Sequence, residues 1–169
     1  MVPAPNRIRR STKVRPLFHI NKFIFVGDNR YLCGMIKGPT TYLKTDTSNL
    51  TRSALRLIAK ETIDYCVATL GVKRSLAIPA VSVIKRGRSL RYGEYNVIGN
   101  KIVVHYNICG DVKLMIQTII HEYTHYLQNM KKYPVLYMKY GYVKHPQEIE
   151  ARRNEKLYSP CWKQIKNKI

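Results

Sequence analysis

The segment from Asp111 to Met130 constrains the fold most, because its apolar side chains recur at the spacing of an α-helix. Positions three and four residues apart share one helical face, and an apolar face must be buried against other elements. Asp111 follows the breaker Gly110 and suits the N-cap, and the Lys131-Lys132 pair suits the C-terminal end, where positive charge is favourable. We therefore predict a helix of about twenty residues with one face in the core. Its apolar positions are Leu114, Ile116, Ile119, Ile120, Tyr126, Leu127 and Met130.

Two histidines lie four residues apart within this predicted helix, in the order His121-Glu122-Tyr123-Thr124-His125. Because such residues stack one turn above another, His121 and His125 can both reach one metal ion at about 2.0–2.1 Å. Glu122 points away from the line that joins them, so its carboxylate can reach a zinc-activated water of pKa ~7 and act as general base. A single helix histidine is more often a packing or exposed residue. The pair in register with Glu122 favours a site for one Zn²⁺ with Glu122 as the catalytic residue.

A catalytic zinc site needs a third protein ligand and leaves its fourth position for water. The segment from His145 to Glu155 has Pro146 in a first-turn position and acids in the early turns, which predicts a second helix. Glu148 and Glu150 lie about 200° apart around that helix, so only one can face the metal. The alternative is that both acids only complement the helix dipole and pair with the arginines that follow.

The two segments together resemble the gluzincin metallopeptidases, in which the third zinc ligand is a glutamate on a helix after the HExxH helix. The resemblance is carried by residues 121–125 and by Pro146-Gln147-Glu148-Ile149-Glu150-Ala151. It is closest to the small members with a single core, including those of bacteriophages. In the E-x-E-A pattern of the small repressor-cleaving gluzincins the first glutamate is the ligand, which implies that Glu148 binds the metal here.

One departure from the family pattern concerns the residue four positions after the ligand. The relatives usually carry Asp or Asn there, whereas this chain has Arg152 four residues after Glu148. Asn154 stands four residues after Glu150 instead. Glu150 therefore remains the alternative third ligand.

The segments before the metal helix predict a helix followed by three strands. Residues 50–70 form a long amphipathic pattern that Gly71 ends, and residues 75–85 are apolar apart from an interruption at Pro79. Residues 91–98 and 101–106 indicate a hairpin that turns at Gly99-Asn100. The predicted fold class is α+β, a minimal zincin core of helix, three-stranded mostly antiparallel sheet, HExxH helix and ligand helix. The resemblance implies that the last strand is a sheet edge above the metal, available to an extended substrate.

The donor that would stabilise an oxyanion stays open at the level of sequence. The segment between the two predicted ligand helices is rich in tyrosine, and a histidine lies on the last predicted strand. The candidates are His105, Tyr133, Tyr137, Tyr140, Tyr142 and His145.

Length predicts one compact domain, because 169 residues are too few for two full ones. We divide the chain into a basic N-terminal arm and docking segment (1–48) and a gluzincin-like metallopeptidase domain (49–169). Cys33, Cys66, Cys109 and Cys161 show no CxxC spacing, which favours reduced thiols and a reducing compartment. The sequence has neither a membrane-span pattern nor a secretory signal pattern, so we expect a cytoplasmic protein that is not secreted, in the host cytoplasm or virion if a phage encodes it.

The formal net charge of +20 is the second strong feature of the sequence. Residues 1–16 carry five basic residues, no acid and three prolines, which predicts a basic arm that binds polyanions in a salt-dependent manner. The expected partners are a protein or peptide substrate and, through the arm, nucleic acid or an acidic protein, within a larger assembly. Two function classes follow: a zinc endopeptidase, and a basic structural or nucleic-acid-associated assembly component that retains a zincin scaffold. The presence of Glu122 favours the first, because a purely structural site needs ligands but no base.

Overall fold

A computed structural model describes residues 43–86 and 91–169 and shows a mixed arrangement of helices around a three-stranded sheet. The predicted α+β class is confirmed at this level. The basic arm, Cys33 and the remaining predictions for residues 1–42 lie outside the described residues. The elements are α1 (Arg52–Leu70), β1 (Ala80–Ile84), β2 (Gly93–Asn96), β3 (Lys101–His105), α2 (Tyr106–Cys109), α3 (Val112–Leu127), α4 (Tyr133–Tyr140), α5 (Pro146–Asn154) and α6 (Tyr158–Ile165).

Helix α1 forms as the sequence predicts, with a cap at each end. The Thr51 side chain accepts a hydrogen bond from the Ala54 amide, and Gly71 ends the helix at φ 81°, a left-handed conformation that favours glycine. One face of α1 is buried against α3, the sheet and α6. That face contains Leu55, Ile58, Ala59, Thr62, Ile63, Tyr65 and Cys66.

The sheet has the order β1-β3-β2, which corrects two expectations. It is not mostly antiparallel, because β1 pairs with β3 in parallel and only β2 pairs with β3 antiparallel. The last strand, β3, is central rather than an edge. Its run Ile102-Val103-Val104 explains the difference, since a continuous apolar segment fits the interior of a sheet, and Ile102 and Val104 are fully buried.

Strand β1 is shorter than the predicted segment 75–85 and begins at Ala80, directly after Pro79. Proline lacks the N–H that a ladder requires, so residues before it do not join the sheet. The hairpin between β2 and β3 turns through residues 97–100, with Asn100 at φ 43°. The predicted turn at Gly99-Asn100 is thus confirmed.

Helix α3 crosses the core and carries the HExxH motif in its C-terminal half. The Asp111 side chain caps it by accepting from the Leu114 amide at 2.7 Å, as predicted. The helix ends at Leu127, earlier than the predicted Lys131-Lys132, because Gln128 has extended backbone (φ −76°, ψ 164°). Ile116, Ile119 and Ile120 are fully buried, which confirms the apolar face.

Residues just before the predicted domain boundary contact the start of α3. Leu43 is buried, its carbonyl accepts from the Lys113 amide at 3.1 Å, and Thr47 Oγ1 donates to the Tyr106 carbonyl at 2.7 Å. The chain therefore covers the N-terminus of α3 from residue 43 onward.

The described cysteines Cys66, Cys109 and Cys161 are free and buried.

Candidate metal centre

Helix α3 places the two predicted imidazole ligands side by side. The Nε2 atoms of His121 and His125 are 3.1 Å apart, and the rings meet edge to face with centroids 4.8 Å apart. His125 is buried, and the His121 side chain is 15% exposed. Helical spacing alone produces this arrangement, since residues four apart share a face.

Helix α5 brings Glu148 to the same point. Its Oε2 lies 3.4 Å from His121 Nε2 and its Oε1 lies 3.3 Å from His125 Nε2. The start of α5 is fixed by His145, whose Nδ1 accepts from the Gln147 amide, and by Pro146 in the first turn. Glu148 is almost fully buried, so its carboxylate faces the histidines rather than solvent.

The cluster fits a metal ion by distance and by the state of its atoms. A tetrahedral ion with ligands at about 2.0–2.1 Å places neighbouring ligand atoms about 3.3 Å apart. The two imidazole nitrogens are 3.1 Å apart, and each lies near that spacing from a different oxygen of Glu148, at 3.4 Å for His121 and 3.3 Å for His125. With one ligand atom from each residue, the three atoms lie within 4.8 Å of one another. Among the described residues Glu148 Oε2 has no hydrogen-bond partner although it is buried, and coordination would satisfy it. His121, His125 and Glu148 could therefore hold a metal ion.

The structure does not bring Glu150 to this cluster. Its side chain is exposed, and Oε2 accepts a hydrogen bond from Gln128 Nε2 at 2.8 Å. Glu148 and Glu150 leave α5 in different directions, as the angle between their helical positions requires. Of the two sequence candidates, Glu148 is the one positioned to bind the metal.

Each imidazole is held from its far side by a residue that sequence reasoning missed. His121 Nδ1 lies 2.7 Å from Glu155 Oε1, and His125 Nδ1 lies 2.8 Å from Gln128 Oε1. Such contacts orient a ligating histidine and increase its basicity. Spacing carried a signal for Glu155, which stands about two helical turns after Glu148. It carried none for Gln128, which lies beyond the end of α3 in extended backbone.

The position four residues after Glu148 serves a different purpose. Arg152 donates to the Val143 carbonyl at 2.8 Å, and its guanidinium lies over the Tyr142 ring at 5.6 Å from the centroid. Asn154 donates to Thr124 Oγ1 at 3.2 Å, inside the HExxH motif. Arg152 thus holds the turn before α5, and the carboxylate beside His121 comes from Glu155.

Without a metal, His121 and Glu148 each shift the pKa of the other. Burial lowers the pKa of His121, but the neighbouring carboxylates of Glu148 and Glu155 outweigh that effect and raise the pKa to about 10. Burial raises the pKa of Glu148, whereas the neighbouring imidazoles of His121 and His125 hold it well below its usual range. A cation at the centre would replace the proton that His121 otherwise keeps.

Glu122 lies on the side of α3 that faces β2. It is half-buried, and a Cβ added at Gly93 would come within 3.5 Å of its Cγ. The same Cβ would meet Thr118 Cγ2 at 2.6 Å and the Val103 carbonyl oxygen at 2.9 Å. Glycine at position 93 therefore lets β2 approach the metal helix closely. Among the strands that the structure describes, β2 ends the sheet order, so the edge strand beside Glu122 is β2 and not β3.

The predicted oxyanion donors divide according to their surroundings. Tyr133 donates to Glu148 Oε1 at 2.7 Å. Burial raises the pKa of Tyr142, and the charge of Glu148 and a hydrogen bond to it raise that pKa further, so the Tyr142 hydroxyl also lies beside Glu148. The others have different contacts: Tyr137 stacks on Tyr133, Tyr140 lies beside Lys139, His145 caps α5, and His105 is buried against Arg86 on the central strand.

No protein-family model, curated protein or solved structure matches the chain. Within residues 43–86 and 91–169, no helix is long and apolar enough to cross a membrane. A functional proposal therefore depends on the chemistry of the residues in and around the cluster.

Proposed function

We propose that the protein is a zinc-dependent endopeptidase of the gluzincin type. The observation that carries this proposal is a cluster beside Glu122, in which His121 Nε2 and His125 Nε2 are 3.1 Å apart and each lies 3.3–3.4 Å from one oxygen of the Glu148 carboxylate. Two imidazoles and one carboxylate suit Zn²⁺ and leave one position for water or substrate. A structural zinc site would instead have four protein ligands.

The residues around the cluster have separate roles in this proposal. When bound, zinc supplies Lewis acidity that polarises the scissile carbonyl and makes water more acidic. Glu122 accepts a proton from the attacking water and returns it to the leaving nitrogen. Tyr133 and Tyr142 are the assigned candidates for hydrogen-bond donation to the oxyanion, because both hydroxyls interact with the Glu148 carboxylate.

Strand β2 is the element that we assign to substrate binding. It lies at the sheet edge and passes beside Glu122 at Gly93, so an extended peptide paired with it would lie along the metal helix. A strand pairing of this kind recognises the peptide main chain and not a particular side chain. The proposal therefore concerns peptide bonds in extended segments.

A second function is favoured by charge alone. The chain has 30 Lys and Arg against 10 Asp and Glu, which suits a component of a nucleic-acid-rich assembly or virion. An endopeptidase can act within such an assembly, and a structural component can retain the zincin scaffold without hydrolysis. Glu122 distinguishes the two, because only hydrolysis requires it.

Hydrolysis by the zinc-loaded full chain tests the proposal. We expect cleavage of a quenched-fluorescence library of flexible peptides, loss of cleavage on chelation, and recovery when zinc is restored. Glu122→Gln should keep zinc and reduce the rate by at least about 10²-fold. Equal rates in wild type and Glu122→Gln, or zinc binding with no cleavage of any peptide, would favour the structural function.

A further inference from the structure

Gln128 follows α3 directly and connects the two ligand helices. It is buried, and Lys73 Nζ donates a hydrogen bond to its backbone carbonyl oxygen at 2.6 Å. Its side chain accepts from His125 Nδ1 at 2.8 Å and donates from Nε2 to the Gln147 carbonyl at 2.9 Å and to Glu150 Oε2 at 2.8 Å. Both amide hydrogens and the amide oxygen are therefore engaged.

The partners of Gln128 fix which way its amide faces. The Gln147 carbonyl can only accept hydrogen bonds, so the amide nitrogen must face it and the Glu150 carboxylate beside it. The amide oxygen then faces His125, whose Nδ1 must carry a proton to donate to it. In the neutral ring the lone pair is then on Nε2, the atom that lies 3.1 Å from His121 Nε2 and 3.3 Å from Glu148 Oε1.

We propose that Gln128 and Glu150 are positioning residues that act in series on His125. Glu150 and the Gln147 carbonyl orient the Gln128 amide, and the amide selects the His125 tautomer that presents Nε2 to the metal. The second glutamate of the E-x-E segment thus contributes to the site without binding the ion. This inference rests on the proposed metal site, but it does not require that the protein hydrolyses peptides.

Zinc affinity of paired variants separates this role from that of a ligand. The side-chain amide introduced by Glu150→Gln keeps an oxygen that can accept from Gln128, so this variant should hold zinc within about twofold of wild type. Glu150→Ala removes the acceptor and should weaken zinc binding by about threefold to tenfold, the equivalent of one hydrogen bond. If Glu150 were a metal ligand, both variants would lose zinc.

Gln128→Met tests the contact between the Gln128 amide and His125, because methionine has a similar shape and makes no amide hydrogen bond. We expect a loss of about 10- to 100-fold in zinc affinity, measured by competition with a chromophoric chelator. Asp64→Ala is the matched control for removal of an acid, since Asp64 is exposed on α1 and pairs with Lys60. It should leave zinc affinity unchanged.

A spectroscopic measurement on the metal-free full chain gives a readout that depends on neither zinc nor activity. In wild type and Glu150→Gln, the His125 Nδ1–H should give a one-bond ¹H–¹⁵N signal that exchanges slowly with water. In Gln128→Met that signal should broaden or disappear, while circular dichroism confirms that the variant remains folded. Because Glu150 is exposed, its variants test the inference even if Gln128→Met unfolds. An unchanged signal and affinity in a folded Gln128→Met, equal affinity in Glu150→Ala and wild type, or equal loss of zinc in both Glu150 variants would overturn it.

Discussion

His121 is held between two carboxylates, with Nδ1 2.7 Å from Glu155 Oε1 and Nε2 3.4 Å from Glu148 Oε2. Glu148 belongs to the candidate metal cluster. Glu155, about two helical turns later in the sequence, lies on the opposite side of the His121 ring. The carboxylate of Glu155 fixes the ring with Nε2 toward the cluster and increases its basicity.

Removal of the Glu155 carboxylate should weaken zinc binding. We expect Glu155→Ala to lose about 10- to 100-fold in zinc affinity, because His121 Nδ1 loses its acceptor. Glu155→Gln should lose less, since an amide oxygen can still accept from Nδ1. Competition titration with a chelator measures both, and wild-type affinity in Glu155→Ala would show that the contact has no role in metal binding.

Loss of the Tyr133 hydroxyl should destabilise the buried carboxylate of Glu148. Tyr133→Phe removes the 2.7 Å hydrogen bond to Oε1. Hydrogen bonds to charged groups contribute about 1.5–3 kcal/mol, so the free energy of unfolding should fall by that amount. Urea denaturation of the metal-free protein measures the change. Tyr140→Phe is the control, because Tyr140 is exposed and should show no change.

Close approach of β2 to α3 predicts that Gly93 will not tolerate a side chain. In Gly93→Ala the new Cβ would meet Thr118 Cγ2 of α3 at 2.6 Å and the Val103 carbonyl oxygen of β3 at 2.9 Å, so β2 must shift, at a cost of about 1–3 kcal/mol. Gly99→Ala is the matched control within the same hairpin, since its nearest neighbour would be Asn96 Oδ1 at 3.6 Å. Equal unfolding midpoints for the two variants would contradict the observed packing.

The raised pKa of His121 predicts how stability changes with pH in the metal-free protein. The unfolded state releases its proton near the ordinary value of 6.5, whereas the folded state keeps it up to about 10. Between these values the native state binds more protons, so the free energy of unfolding should fall as pH rises. Denaturation of wild type and His121→Asn at pH 6.5 and 9 tests this expectation. A decline of equal size in both proteins would assign the effect to other groups.

Local patterns predicted much of the fold because local chemistry determines it. Spacing and turn chemistry within a few residues determine three of these features: the buried face of α1 with Thr62 and Tyr65, the Asp111 cap, and the turn at Gly99-Asn100. Strand order was not predictable in the same way. The apolar run of β3 suits a central position, but it does not select the partner strand. That position also depends on parallel pairing with β1, a contact between segments about twenty residues apart.

In the candidate site, too, local patterns predicted some residues, while others depended on contacts between distant segments. The motif predicted His121, Glu122 and His125, but the choice between Glu148 and Glu150 depended on how α5 packs against α3. The sequence pattern placed Gln128 inside a longer helix, so its contact with His125 was not predicted. Because α3 ends at Leu127, the Gln128 side chain points back to His125.

Metal analysis of purified, zinc-loaded protein is the most direct test of the central claim that His121, His125 and Glu148 hold one Zn²⁺. Wild type and Glu122→Gln should each contain one equivalent after gel filtration, because Glu122 is assigned as a base and not a ligand. His125→Ala and Glu148→Ala should contain none while keeping the helical content of the wild type. One equivalent of zinc retained in His125→Ala would contradict the account.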